Sequence, residues 1–201
     1  MCGIIGSVGS NIDKKTGLLT AYRGPDNLGV YVAEDVTLIH NRLSIIDLSE
    51  DANQPMESFD GRYVIVFNGE IYNYKSIRGR LIAKGYEFKT GSDSEVLLNG
   101  YIAWKEDVLH MLDGMFAFAI WDSYSKKIFC ARDHIGIKPF FYIVQDNSFY
   151  FSSELKVIRD IFPELEIDKG SVSEYLIYNY IPAPKTIYKN ALKLLPGHYL
   201  E

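Results

Sequence analysis

Apolar and polar positions in this chain follow two periods, and the switches between them predict strands, then helices, then strands again. Residues 3–8, Gly-Ile-Ile-Gly-Ser-Val, form an apolar run with small residues where other backbone comes close, the mark of a buried strand. Residues 10–22 begin polar and end in Leu18, Leu19 and Ala21, enough for a short helix or an irregular connection. Arg23-Gly24-Pro25-Asp26 is a turn signal, because Pro25 fixes its own φ and restricts Gly24 before it. Strand patterns follow at 29–33 and 36–46. In the second, Leu38, His40, Arg42, Ser44 and Ile46 share one face, and Ile39, Asn41, Leu43 and Ile45 the other. Arg42 belongs to the more polar set, whose simplest reading is a solvated strand face.

Residues 48–62 are rich in acids and carry Asn53, Pro55 and Gly61, which predicts a surface loop. The β-branched and aromatic run 63–67 predicts a strand that leads straight into Asn68-Gly69-Glu70. Asn-Gly here reads ordinarily as a hairpin turn. Its functional reading is a side-chain amide and an exposed backbone N–H aimed together at a developing oxyanion. Asn73 is placed to cap a helix over 74–84, with Tyr74, Ile77 and Leu81 on its apolar stripe and Gly85 as the stop. Ser92 and Glu95 have capping-box spacing ahead of a second helix, with Asp93 in its first turn, where the helix dipole favours a carboxylate in any case.

Strand patterns then recur at 115–121, 127–132, 140–144 and 149–153, the first and last pairs joined by short polar turns as antiparallel hairpins. Cys130 reads as a small core residue within a strand. The loop carrying His134, Gly136, Lys138 and Pro139 has no chemistry assignable from its pattern. Helix signals return at 155–160 and 171–178, and the proline-broken tail 181–201 reads as extended. Strands, helices and strands without βαβ alternation predict an α+β fold, a four-layer αββα sandwich of two antiparallel sheets.

Composition narrows the function. The chain has 201 residues, 47% of them hydrophobic, which is enough for one sizeable core. Its 21 basic and 26 acidic residues give a net charge of −5 without runs of like charge, which argues against nucleic acid and anionic membrane as partners. No apolar stretch is long enough to span a bilayer, and a cytoplasmic location is expected. Two cysteines and four scattered histidines lack metal-ligand spacing, so no metal is expected.

Cys2 follows the initiator methionine directly, and its small side chain suits removal of Met1 by an aminopeptidase. The freed α-amine, with a pKa of roughly 7.7–8.0, would nearly match a thiol of about 8.5, so one residue would supply both nucleophile and base. Many proteins begin Met-Cys by chance, and the opening residues alone favour that plainer reading.

Six motifs change the balance when taken in order: Met1-Cys2-Gly3-Ile4, Arg23-Gly24-Pro25-Asp26, Arg42-Leu43-Ser44-Ile45-Ile46-Asp47, Asn68-Gly69-Glu70-Ile71-Tyr72-Asn73, Gly91-Ser92-Asp93-Ser94-Glu95 and Ala131-Arg132-Asp133-His134-Ile135-Gly136. Together they resemble the N-terminal glutaminase domain of class II glutamine amidotransferases, with the Ntn-hydrolase fold. Pro25 after Arg-Gly is most similar to the glutamine-hydrolysing asparagine synthetases.

The resemblance implies an enzyme that hydrolyses glutamine to glutamate and ammonia through a Cys2 thioester, supplying an asparagine synthetase-type, ATP-dependent amidation. By that resemblance Cys2, Asn68 and Gly69 are catalytic, the last two as oxyanion donors. Arg42 would hold the substrate α-carboxylate, and Glu70 and Asp93 the α-ammonium. Leu43, Ile45 and Ile46 would complete the pocket, and Arg23 would support it. It divides the chain into a glutaminase core, 1–160, and an extension, 161–201, leading to a synthetase (ATP-pyrophosphatase) domain whose Ser-Gly-Gly-x-Asp-Ser motif is absent here. No cofactor is expected in this part, and ATP and Mg only in that further domain. L-glutamine, the synthetase domain in cis or in trans and a second copy as homodimer are the expected partners. The alternatives are amidation of another carboxylate such as a sugar acid, or a non-catalytic regulatory module of the same fold.

Overall fold

The computed structural model describes residues 1–201. In chain order the strands are β1 (Gly3–Val8), β2 (Asn27–Ala33), β3 (Val36–Arg42), β4 (Met56–Glu57) and β5 (Tyr63–Ile71), followed by helices α1 (Tyr74–Ile82) and α2 (Asp93–Trp104). Then come β6 (Gly114–Asp122), β7 (Lys127–Arg132), β8 (Phe141–Gln145), β9 (Ser148–Ser152), α3 (Leu155–Ile161), α4 (Lys169–Tyr178), β10 (Leu192–Lys193) and β11 (Tyr199–Leu200). The connection after β1 is a 3₁₀ segment, Lys14–Arg23, whose first turn is capped by the Asp13 carboxylate accepting from the Lys15 N–H.

The strands form two antiparallel sheets, ordered β10-β8-β9-β1-β3-β2 and β11-β7-β6-β5-β4. Side chains alternate across each strand, and the alternation sorts the core into layers. On β5, Val64 and Val66 face the first sheet, where they meet Ile4, Leu38 and Phe151. Ile65 and Phe67 face the other way, onto Ile77, Leu81 and Leu97 of α1 and α2. On the far side of the first sheet, Ile5 and Ile39 pack against Val157 of α3 and Leu19. The layers therefore run helix, sheet, sheet, helix, as the order of elements predicts. Segment 161–201 adds one short strand to each sheet, β10 beside β8 and β11 beside β7.

Four local expectations are corrected. β3 ends at Arg42, because the Asp26 N–H donates to the Arg42 carbonyl and the Asp26 carboxylate accepts from the Ser44 N–H, which pulls the chain out of the sheet. β5 does not turn at Asn68-Gly69 but continues to Ile71, paired with β6 through Asn68–Ala117, Gly69–Phe116 and Glu70–Met115. Segment 48–62 is not wholly a surface loop, since Ala52, Gln54, Met56 and Ser58 are buried at strand spacing. The Asn73 side chain does not cap α1: it donates to the Met111 carbonyl (2.8 Å) and accepts from the Asp113 N–H (3.1 Å), tying the start of α1 to β6. Ser92 does cap α2, accepting from the Glu95 N–H at 3.3 Å.

Within the layer between the sheets, Phe140, just before β8, and Phe151 of β9 stack at 5.2 Å between ring centres and 9° between planes. Phe151→Ala would remove a fully buried ring from this layer, and chemical denaturation is expected to show a loss of about 3–5 kcal/mol.

Candidate active site

The rows of side chains that fill the layer between the sheets turn polar at one end. Cys2 is in step with Ile4 on the first strand, Arg42 with Leu38 and His40 on β3, and Asn68 and Glu70 with Val64 and Val66 on β5. All four residues line one cavity, together with Leu43, Ile45, Ile46, Gly69 and Asp93. Every catalytic or substrate-binding residue expected from the sequence is thus brought together.

The Cys2 end is anchored from several sides. Arg23 does not line the cavity; its Nε donates to the Cys2 carbonyl at 3.0 Å, and its Nη1 pairs with the Glu154 carboxylate. Gly24 is required beside it, since a Cβ there would lie 2.3 Å from the Asn41 carbonyl oxygen. The Leu43 N–H donates to the Cys2 sulfur at 3.4 Å. Burial pushes the thiol pKa up, while that N–H and the nearby Arg42 pull it back down.

β4 is only two residues long, so β5 has an open edge beyond it. Phe67, Gly69 and Ile71 direct their backbone N–H groups to this edge, because alternate residues of β5 bond β6. The Phe67 N–H is taken by the Gln54 side-chain carbonyl at 2.6 Å, and the Ile71 N–H by the Asp93 carboxylate at 2.9 Å. The Gly69 N–H lies between these two satisfied donors, on the cavity wall. Only glycine fits there, as a Cβ would lie 2.3 Å from the Met115 carbonyl oxygen. Next to it, the Asn68 amide nitrogen is buried and has no hydrogen-bond partner in the protein. A buried donor left unpaired costs on the order of 1–3 kcal/mol, so the position favours an acceptor arriving from the cavity.

Charge in the cavity is arranged by end. Arg42 is 7% exposed, which overturns the solvated-face reading. Its guanidinium donates to the Ser49 carbonyl (2.7 Å), the Asn53 side chain (2.8 Å) and the Asp47 carbonyl. Two of its five N–H groups remain for a ligand, in a fixed orientation. Asp93 is buried, and burial raises its pKa to about 6, with the Glu70 carboxylate adding to the rise. Two acidic groups this close, one of them desolvated, form a receptor for a cation.

Three contributors have no counterpart in the sequence reading. Gln54 stands where a strand partner of Phe67 would be, and it also donates to the Ser94 hydroxyl at 2.9 Å. His40 is fully buried, with its Nε2 3.1 Å from the Phe67 carbonyl; burial drives its pKa down to about 4, so it is neutral and donates. Gln54 and His40 thus hold the two peptides that flank Phe67, just before Asn68. Lys138, from the unassigned loop, also lines the cavity. Nothing in the local sequence marked Gln54 or Lys138; the alternating burial across 52–58 is visible only in the structure.

The glutamine amidotransferase domain family matches residues 1–201. This chain belongs to that family. The amidotransferase domain is 39% identical over 207 residues to asparagine synthetase [glutamine-hydrolyzing] 1 of Bacillus subtilis, covering 98% of this chain and 33% of the relative. It is 37% identical over 221 residues to a putative asparagine synthetase of Methanocaldococcus jannaschii, covering 96% and 42%. The chain therefore spans less than half the length of these curated relatives. Among solved structures it resembles the glutamine phosphoribosylpyrophosphate amidotransferase of B. subtilis, with a TM-score of 0.66, 20% identity, and 80% and 43% coverage. At that identity the likeness shows the fold alone. No helix of the domain is long and apolar enough to cross a membrane.

The state of Asp93 sets a pH dependence of stability in the unliganded domain. Its folded pKa is above the unfolded value, so between about 4 and 6 the native state holds the extra proton and stability from this group falls as pH rises. Asp93→Asn is expected to stabilise the free domain at neutral pH by roughly 1–3 kcal/mol, with no gain below about pH 4, read by urea unfolding across pH.

Proposed function

We propose that this domain hydrolyses L-glutamine to glutamate and ammonia with Cys2 as nucleophile, and that the ammonia serves an ATP-dependent amidation by the remainder of a longer protein. The observation that carries the reading is the buried, unpartnered Asn68 amide beside the Gly69 N–H, in the same cavity as the Cys2 thiol. Arg42 takes the substrate α-carboxylate through its two remaining N–H groups, and Glu70 and Asp93 take the α-ammonium. A site that pairs both charged ends rejects amides that lack them, because its own charges would be left unmatched. The distal carboxamide is then placed at the sulfur.

In this reading Met1 is removed first, and the Cys2 α-amine accepts the thiol proton. Sulfur attacks the amide carbon, and the carbonyl electrons move to oxygen, where Asn68 Nδ2 and the Gly69 N–H receive the charge. The α-ammonium returns its proton to the leaving nitrogen, ammonia departs, and water hydrolyses the thioester by the reverse path. An amide at Cys2 has no basic lone pair, so the form that retains Met1 is inactive. Aspartate is the acceptor we favour, because the relatives at 39% and 37% identity are described as asparagine synthetases. The cytoplasm is the setting we favour, since both cysteines are free thiols.

Intact mass before and after exposure to an electrophilic glutamine analogue tests the nucleophile and the processing together. Protein lacking Met1 is expected to gain one adduct mapped to Cys2, and Cys2→Ala none. Glutaminase activity in a form proved to retain Met1 would sink the role of the α-amine. Asn68→Ala is expected to lower kcat by about 10²–10³ with KM for glutamine nearly unchanged. A loss confined to KM would place Asn68 on the ground-state substrate instead.

A further inference from the structure

The loop after β7 is built more firmly than a connection needs to be. The Asp133 carboxylate accepts from the Phe116, Ile135, Ile137 and Lys138 N–H groups at 3.2, 3.3, 2.8 and 2.9 Å. The Arg132 guanidinium donates to the Lys138, Leu194 and Gly136 carbonyls at 2.7, 2.6 and 2.7 Å. Lys138 is therefore fixed by its N–H on one side and its carbonyl on the other. The residue lines the cavity that holds Cys2, is only 5% exposed, and its ammonium lies within electrostatic reach of Cys2 and Glu70. Its ammonium makes no ion pair within the domain. A lysine so buried is ordinarily paired, so an unpaired one at a cavity wall awaits an anion.

The charges around it say which anion. Those lining the cavity are Arg42, Asp47, Glu70, Asp93 and Lys138, with the terminal amine beside the sulfur and Arg23 and Asp133 behind the wall; Asp47 is taken up by the Ser49 and Gly91 N–H groups. Asp133 is saturated by four backbone donors, and the Arg23 charge is paired with Glu154. On the proposed function, Arg42 meets the substrate carboxylate, and Glu70 and Asp93 meet its ammonium. The α-ammonium formed at Cys2 is one counter-charge to the sulfur, and Lys138 is the cation of the cavity wall that is left without an anionic partner. A thiolate forming near Asp93, on a residue whose burial disfavours charge, is stabilised by a further cation beside it.

We propose that Lys138 is the cationic partner of the Cys2 thiolate, an electrostatic positioning residue that keeps its proton throughout while the thiol proton goes to the α-amine. This rests on the glutaminase reading for its role in turnover, but not for its effect on the sulfur. The test is the pH dependence of Cys2 alkylation by iodoacetamide in the full chain lacking Met1, with the adduct mapped by mass; Cys130 is fully buried and stays silent. Lys138→Met is expected to move the alkylation midpoint up by about one pH unit or more and to lower kcat about tenfold, with KM for glutamine nearly unchanged. Lys138→Arg is expected to keep both near wild type. Should the Met variant fail to fold, Lys138→Gln carries the same expectation.

An unmoved midpoint overturns the proposal. So does a rise in KM alone, which would make Lys138 a ligand of the substrate carboxylate. Alkylation reads the sulfur whether or not glutamine is turned over. A wild-type chain that titrates at Cys2 yet leaves glutamine intact would overturn the glutaminase reading, and the midpoint shift would still decide the pairing.

Discussion

Two facing sheets, each presenting alternate side chains to the other, are the constraint on which this domain depends. The rows that contribute Ile4, Leu38, Val64 and Val66 to the dry layer also contribute Cys2, Arg42, Asn68 and Glu70 at its end. A register slip of one residue in any of these strands would turn its apolar members outward and its functional members with them. The energy that fixes the core register therefore fixes the site, and no separate device is needed to aim the four side chains at a common point.

Rigidity at the site comes from replacing strand pairing with side chains. Where β4 stops, Gln54 and Asp93 satisfy alternate N–H groups of β5, and His40 holds the Phe67 carbonyl from the opposite sheet. The groups left over, the Asn68 amide and the Gly69 N–H, are then held in place by satisfied neighbours on both sides. Donors prepared in this way need no reorganisation when charge develops on a bound oxygen. Their cost is borne by the free protein, in an unpaired buried amide and a desolvated Asp93 carboxyl. The apolar layer between the sheets has ample capacity to offset a few kcal/mol of this kind.

Most of the architecture was legible because it rests on period and composition. β1, both central helices and the paired strands after 114 follow from alternation, helical stripes and turn residues. The expectations that failed were local rules overruled by distant partners. Asn68-Gly69 has hairpin chemistry, yet nine residues of pairing with β6 carry the strand through it. Asn73 has capping chemistry, yet bonds to Met111 and Asp113 satisfy it better. Arg42 lies on a polar strand face, but that face is covered by the loop at 47–53, whose carbonyls no pattern in the sequence could assign to it. The site residues themselves were found through the order of six motifs. Gln54 and Lys138 were not, because each acts through a contact that only the fold creates.

The order at Cys2, next to the start of the chain, also follows from the sheet. A terminus normally frays, since it is held from one side only. Here β1 lies between β3 and β9, paired to β3 from Gly3 and to β9 from Ile5, so order extends to the residue next to the end. Arg23 then holds the Cys2 carbonyl, and the Leu43 N–H holds its sulfur. In the proposed reaction Cys2 uses its own α-amine as base and must be terminal, and terminal position is the hardest place to keep rigid. Inserting the first strand into the middle of a sheet resolves that conflict: an edge strand in the same place would leave β1 held by one ladder, and the thiol would lose its fixed place in the cavity beside Asn68 and Gly69.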